Sequence, residues 1–221
     1  MHIPLVSFDA PHSAADTTAD RDTLLSLLSR RAFTASFAGH SHTTEHHYLG
    51  AAHGFAGPGL HHHHVLTAAS GSWWSGPKDA RDIPVADSRD GSPKGFHVLS
   101  VEGNRYSTRF VPFDAAADTA MRAMLIEEGR DAQWRTLVVN VFDGGPNTTV
   151  TCNLDDGPTL TLARTTMADP HVSDLFSRHR DLCKPWVEAA PSSHVWMVPL
   201  AADAQTSRCV TLRVKDEMGR S

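Results

Sequence analysis

The sequence predicts an α/β unit followed by an all-β unit, and three observations carry the prediction. Within the first 38 residues an apolar run, an amphipathic segment of helical period and a second β-rich run follow one another. Beyond residue 133, segments alternate apolar and polar side chains in period two, with Asp- and Gly-rich turns between them. The chain has 221 residues, 40% of them apolar and 20% charged, enough for a core and for one or two packed units. The boundary is placed so that residues 1–114 form the first unit and 115–221 the second.

The elements follow in order. The apolar run from His2 to Phe8 reads as a strand. Asp20 to Arg31 repeats apolar residues at helical spacing with acids first and arginines last, as the helix dipole favours. Ala32 to Ala38 returns to a β pattern and breaks at Gly39, completing a strand, helix, strand turn of an α/β layer. His61 to Leu66 reads as a strand that runs into the aromatic turn Gly71-Ser72-Trp73-Trp74-Ser75-Gly76, and 79–93 is polar loop. Gly95 to Val101 and Arg105 to Val111 flank Glu102-Gly103-Asn104, a hairpin signal. Ala116 to Glu128 stays open between a helix and the first strand of the second unit. Trp134–Phe142, Thr148–Leu154, Thr159–Ala163, His194–Leu200 and Cys209–Val214 then spell a small β-sandwich, and Asp169-Pro170 opens a short helix to about Arg180.

Composition narrows the function. A net charge of -5, a pI of about 6.3 and the lack of any Lys/Arg run disfavour nucleic acid and anionic membranes as partners. No stretch approaches the roughly 20 apolar residues of a membrane span, and no basic region leads into an apolar core as in a signal peptide. Cys152, Cys183 and Cys209 are scattered, odd in number and without a CxxC pair, so they read as small apolar fillers. Histidine is the anomaly. Of 15 in the chain, eleven fall at or before His64.

The densest stretch is FAGHSHTTEHH, residues 37–47. Neutral imidazole is the common nitrogen ligand of zinc, manganese, iron and nickel, and His40 and His42 at i and i+2 can address neighbouring ions from one loop. Gly39 before them lets the backbone turn, and the loop leaves a strand at its carboxyl end, where open sheets collect functional groups. His46 and His47 are either hydrogen-bonding supports of those ligands or a polar turn. His61 to His64 alternate in and out of their strand, which puts two of them, His62 and His64, on the pocket side. Trp73 and Trp74 line that pocket or pack as core and rim. His12, His97, His171 and His179 read as ordinary satisfied or exposed histidines. Two non-catalytic functions fit the same residues. One is a His-rich protein in which His40 to His64 chelate zinc or nickel; the other is a β-sandwich interaction or carbohydrate-surface module that folds and binds alone from about Ala115.

His2-Ile3-Pro4-Leu5 at a strand, followed by Gly39-His40-Ser41-His42 after the next, resembles the closing pair of metal motifs in the calcineurin-like metallophosphoesterases. Thr43 to Tyr48, His61 to Trp74 and Asp90 to Phe96 resemble one bacterial branch of that family, and Asn140 to Gly144 and His194 to Trp196 resemble its C-terminal immunoglobulin-like domain. The resemblance implies that this chain is the C-terminal part of a metallophosphoesterase α/β sandwich plus a small immunoglobulin-like β-sandwich. It further implies His2 and His40 as ligands of one metal and His42 of another, in a centre of two divalent ions (Mn, Fe or Zn) that hydrolyses a phosphomonoester or phosphodiester. The family's Gly-Asp-x-x-Asp and Gly-Asn-His motifs are not found in these residues, no Asp-x-His lies ahead of Gly39-His40-Ser41-His42, and no motif places Asp9, Asp16 or Asp22 at the metals. The chain is therefore expected either to be incomplete or inactive alone or to await a complementing N-terminal half, and to carry an open sheet edge. Relatives of this architecture are often exported to the periplasm or secreted.

Overall fold

The computed structural model describes residues 1–8, 17–113, 119–127, 134–155, 157–201 and 209–221. Strands dominate these residues, with two α-helices among them. The first sheet holds β1 (Ala35–Ala38), β2 (Glu45–Leu49) and β3 (His61–Val65) in the order β1-β3-β2, with β1 parallel and β2 antiparallel to β3. Helix α1 (Arg21–Leu28) precedes it and buries Leu25 against Leu5, Leu49 and Phe55.

Two expectations about this region need correction. The opening run is not a strand: Pro4 has no amide hydrogen to give a ladder, and the Leu5 amide goes instead to His63 Nε2 at 3.0 Å. Only its first residues reach β1, through Met1 N to Phe37 O at 2.8 Å and Gly39 N to His2 O at 3.0 Å, so this end of the edge is covered. Helix α1 also stops short of Arg30 and Arg31, whose amides shift to i−3 carbonyls, Leu27 at 3.3 Å and Leu28 at 2.9 Å, and so tighten and end the last turn. What holds the opening segment down is Glu45. Its carboxylate accepts from Ser7 Oγ, the Phe8 amide and Thr43 Oγ1, each at 2.8 Å, and from His47 Nε2 at 2.7 Å.

The hairpin is found where expected, as β4 (Gly95–Glu102) and β5 (Arg105–Pro112). The open segment is a strand, β6 (Met121–Glu127), because it pairs antiparallel along β7 (Trp134–Val141) from Met121 opposite Val141 to Glu127 opposite Arg135. Then come β8 (Thr149–Leu154), β9 (Leu160–Thr161), β10 (Ala163–Ala168), α2 (Pro170–Arg178), β11 (Pro191–Ala201) and β12 (Val210–Lys215). They form two sheets, β10-β11-β7-β6 and β12-β8-β9. Leu137, Val139 and Val141 of β7, Val150 and Cys152 of β8, and Trp196 and Leu200 of β11 share one buried cluster, giving an all-β C-terminal part. Each such side chain contributes about 1.5–3 kcal/mol by leaving water. Asp169 caps α2 through the amides of His171 at 2.8 Å and Val172 at 3.2 Å, with Pro170 at the first helical position. Cys152 and Cys183 are buried as fillers, whereas Cys209 is exposed. No described helix is long and apolar enough to cross a membrane. The 114/115 boundary, Asp9 and Asp16 lie outside the described residues, and Asp22 sits in the first turn of α1.

Strand β7 is buried on both faces, and its second face carries a polar knot. Asn140 Nδ2 donates to the Asp90 carbonyl at 2.8 Å and to Asp169 Oδ2 at 2.6 Å, which fixes Asn140 Oδ1 as an acceptor for His194 Nδ1 at 2.8 Å. His194 Nε2 meets Asp90 Oδ2 at 2.9 Å. Both ring nitrogens thus face oxygen atoms. Asp90 also accepts the Thr44 amide at 2.5 Å and the Ser92 amide at 3.0 Å. Burial would raise its pKa, but His194 and these amides hold it below the usual carboxylate value. Gly91, at φ +90°, has no room for a side chain: a Cβ there would lie 2.5 Å from Asn140 Nδ2.

Removing the Asp90 charge leaves His194 buried beside a neutral amide, so Asp90→Asn should lower the unfolding free energy by about 3–5 kcal/mol in urea titrations at neutral pH. A depressed carboxylate stabilises the fold fully above its unfolded pKa of about 3.9, and that contribution is lost as pH falls through the folded value. The wild type should therefore lose stability below about pH 4 more steeply than Asp90→Asn, measured by denaturant midpoint against pH.

Candidate functional site

The parallel strands β1 and β3 end side by side, and the loop leaving β1 carries Gly39-His40-Ser41-His42 past their carboxyl ends. His40 and His42 both adopt left-handed backbone, at φ +78° and +55°, which costs about 1–3 kcal/mol each and persists only where the surroundings impose it. His40 Nδ1 lies 3.0 Å from His2 Nε2, with the rings edge to face at 4.9 Å. His42 donates from Nδ1 to the Gly71 carbonyl at 2.5 Å. That bond fixes its tautomer and leaves the Nε2 lone pair as its ligand atom. Burial lowers the His42 pKa, keeping the ring neutral at neutral pH.

The same ring stacks on Trp73, at 3.8 Å between centroids and 15° between planes. Trp73 in turn meets Trp186 edge to face at 6.3 Å. Gly71 makes the carbonyl available, since a Cβ at its φ of +56° would lie 1.6 Å from the Ala86 carbonyl oxygen. Trp73 is thus a packing surface for His42, while Trp74 stays half exposed, with the Lys94 ammonium 5.1 Å from its ring.

Strand β3 distributes its four consecutive histidines by period two. On one face His63 Nε2 accepts the Leu5 amide, His63 Nδ1 meets Ser36 Oγ at 2.7 Å, Ser36 Oγ meets His61 Nε2 at 2.8 Å, and His61 Nδ1 meets Thr34 Oγ1 at 2.9 Å. His47 belongs to this face and binds Glu45, so it serves the opening segment and not the loop of His40 and His42. On the opposite face, β2 and β3 bring together His46, His62 and His64. The Tyr106 hydroxyl donates to His62 Nδ1, His62 Nε2 donates to His46 Nδ1 at 2.9 Å, and His46 Nε2 donates to Asp143 Oδ1 at 3.1 Å. His64 Nε2 and His97 Nε2 reach the same oxygen at 3.0 and 3.1 Å.

The His62, His63 and His64 rings are neutral. Burial, reinforced by neighbouring imidazoles, pushes His62 down to about 2 and His63 and His64 down to about 3. Burial alone would raise Asp143, yet the hydrogen bonds from His46, His64 and His97 hold it well below the usual carboxylate range. His64 Nδ1 is buried without a hydrogen-bond partner.

The structure therefore gathers the sequence-selected residues into two places. His2, His40, His42 and Trp73 share the loop region, and His46, His62 and His64 share the far face of β3. His97 and Asp143 complete the second group and were not selected: His97 sits in an unremarkable hairpin strand, and Asp143 opens Asp143-Gly144-Gly145, which reads as turn chemistry. Only their proximity to three imidazoles reveals them.

Tyr106→Phe removes the hydroxyl partner of His62 Nδ1 and leaves a buried nitrogen unsatisfied. It should cost about 1–3 kcal/mol in equilibrium unfolding without changing the far-ultraviolet strand signal. The family described as the C terminal of calcineurin-like phosphoesterase matches residues 63–221, a span that begins within β3 and includes His64, His97, Asp143 and His194. No curated protein and no solved structure matches the chain.

Proposed function

This chain belongs to the calcineurin-like phosphoesterase C-terminal family, and on that premise we propose that it is the C-terminal portion of a metal-dependent phosphoesterase in which His2 and His40 hold one divalent ion and His42 a second. The observation that carries this reading is the fixed tautomer of His42, whose Nδ1 is committed to Gly71 while Nε2 remains a neutral ligand atom at the carboxyl ends of parallel strands. His40 and His2, 3.0 Å apart, fit as two ligands of one ion.

The residues at hand do not make a whole dinuclear centre. Among the described residues no carboxylate completes a three-donor group with His2, His40 or His42. Two dications at close range repel unless carboxylates bridge and flank them, so the reading places those carboxylates on a complementing N-terminal segment. Such a centre of manganese, iron or zinc supplies a metal-activated hydroxide for hydrolysis of a phosphomonoester or phosphodiester. This chain's own share is to hold the imidazoles: Gly71 and Trp73 orient His42, and the left-handed turn aims His40. Trp74 is half exposed, and in this reading it forms part of the rim of the substrate pocket. In this reading residues 1–114 are the remainder of the catalytic α/β sandwich and 115–221 an immunoglobulin-like accessory domain.

The test is hydrolysis of bis(p-nitrophenyl) phosphate with Mn²⁺, by this chain alone and with a segment carrying Asp-x-His, Gly-Asp-x-x-Asp and Gly-Asn-His. Turnover should require the segment. The His40→Ala, His42→Ala variant should lose more than about 100-fold, since even the outer supports of a metal ligand are worth 10–100-fold. Equal turnover by the double variant would refute the assignment and favour metal chelation without catalysis.

A further inference from the structure

We propose that His46, His64, His97 and Asp143 are the four ligands of a separate, structural site for one tetrahedral divalent ion, zinc by its donor set, which fastens the first sheet and the β4–β5 hairpin to the turn after β7.

The geometry points there first. Three imidazole nitrogens from β2, β3 and β4 converge on one carboxylate oxygen, at 3.1, 3.0 and 3.1 Å. Ligand atoms at about 2.0–2.1 Å from a tetrahedral zinc lie about 3.3 Å from one another, so these three separations are near those between the corners of a coordination shell. The ligand atoms of His64, His97 and Asp143 all lie within 4.8 Å of one another, as do those of His46, His62 and His64, so the shell closes when His46 moves toward His97. Three neutral imidazoles and one carboxylate form a nitrogen and oxygen set that suits zinc and lowers the charge of a dication by one.

Burial and supporting contacts agree. The side chains of His46 and His64 are 0% exposed, His97 6% and Asp143 17%, a closed arrangement of the structural kind. Access comes from the aspartate side, where a cavity of about 490 Å³ is lined by Asp143, Arg109, Glu217 and Arg220. His46 is oriented from behind: with Nε2 on the ion, its Nδ1–H donates to His62 Nε2, and His62 Nδ1–H donates to the Tyr106 oxygen, the reverse of the direction without an ion. None of these residues belongs to the His2, His40 and His42 set, so the two assignments stand or fall separately.

The experiment uses the full chain carrying His2→Ala, His40→Ala and His42→Ala, which removes the other set. After demetallation, reloading with zinc and gel filtration, elemental analysis should find one zinc per chain, and reloading with Co²⁺ should give the intense visible bands of four-coordinate cobalt. Adding Asp143→Asn or His97→Gln should shift or abolish those bands and lower retained zinc at least tenfold. Chelation should lower the Tm of the triple variant, a readout that needs no further substitution. Zinc absent from the triple variant, cobalt bands of six-coordinate strength, or a Tm indifferent to chelation would each overturn the proposal and leave a metal-free hydrogen-bonded knot.

Discussion

Four consecutive histidines on a strand that is buried on both faces set the terms for everything around them. Each imidazole brings two nitrogens, and inside the protein neither can turn to water. The answer is a set of partners drawn from distant parts of the chain: Leu5 and Ser36 for His63, Thr34 for His61, Tyr106 and His46 for His62, Asp143 for His64. The fold is thus tied together through one strand, and the opening segment, the hairpin and the turn after β7 are each held partly because they supply a donor or acceptor to it.

A second knot acts along the same seam. Asp90 collects the Thr44 amide before β2, His194 from β11 and the Ser92 amide of its own loop, while its carbonyl binds Asn140 of β7. Because Asn140 also contacts Asp169, the cap of α2 is part of that knot. Glu217 extends the seam, accepting from Tyr48 Oη at 2.7 Å and from the Asn147 amide at 2.9 Å. The loop bearing His40 and His42 thus runs between β1 and a β2 that is anchored from three sides, which is how left-handed histidines are kept in place.

Much of the fold was legible in the sequence, for reasons that are physical. The strands beyond residue 133 and the β4–β5 hairpin declare themselves by period and turn residues, and α2 by Asp169-Pro170, because these signals are local. The opening run misled because its apolar character reports burial, whereas its ladder is precluded by Pro4 and the diversion of the Leu5 amide. The 121–127 segment was ambiguous because β7, forming its ladder from a distance, decided the matter. At the site, His40 and His42 were visible as a motif and the even histidines of β3 as a periodicity. His97 and Asp143 were not, since convergence in space leaves no trace in spacing along the chain.

The run of identical side chains on β3 carries a cost for pairing specificity. Sliding a strand by one residue normally exposes its error at once, by turning apolar groups outward and polar ones inward. Here three of the four positions would still present an imidazole after such a slip, so the strand itself scarcely discriminates between alignments. Discrimination falls to its ends, where Val65 is fully buried and Leu60 is 60% exposed, and to the partners beyond. A slip toward Leu60 would trade one for the other and leave Ser36, Tyr106 and Asp143 facing the wrong rings. The flanking aliphatics, silent in any chemical role, are the proofreaders of this strand's alignment.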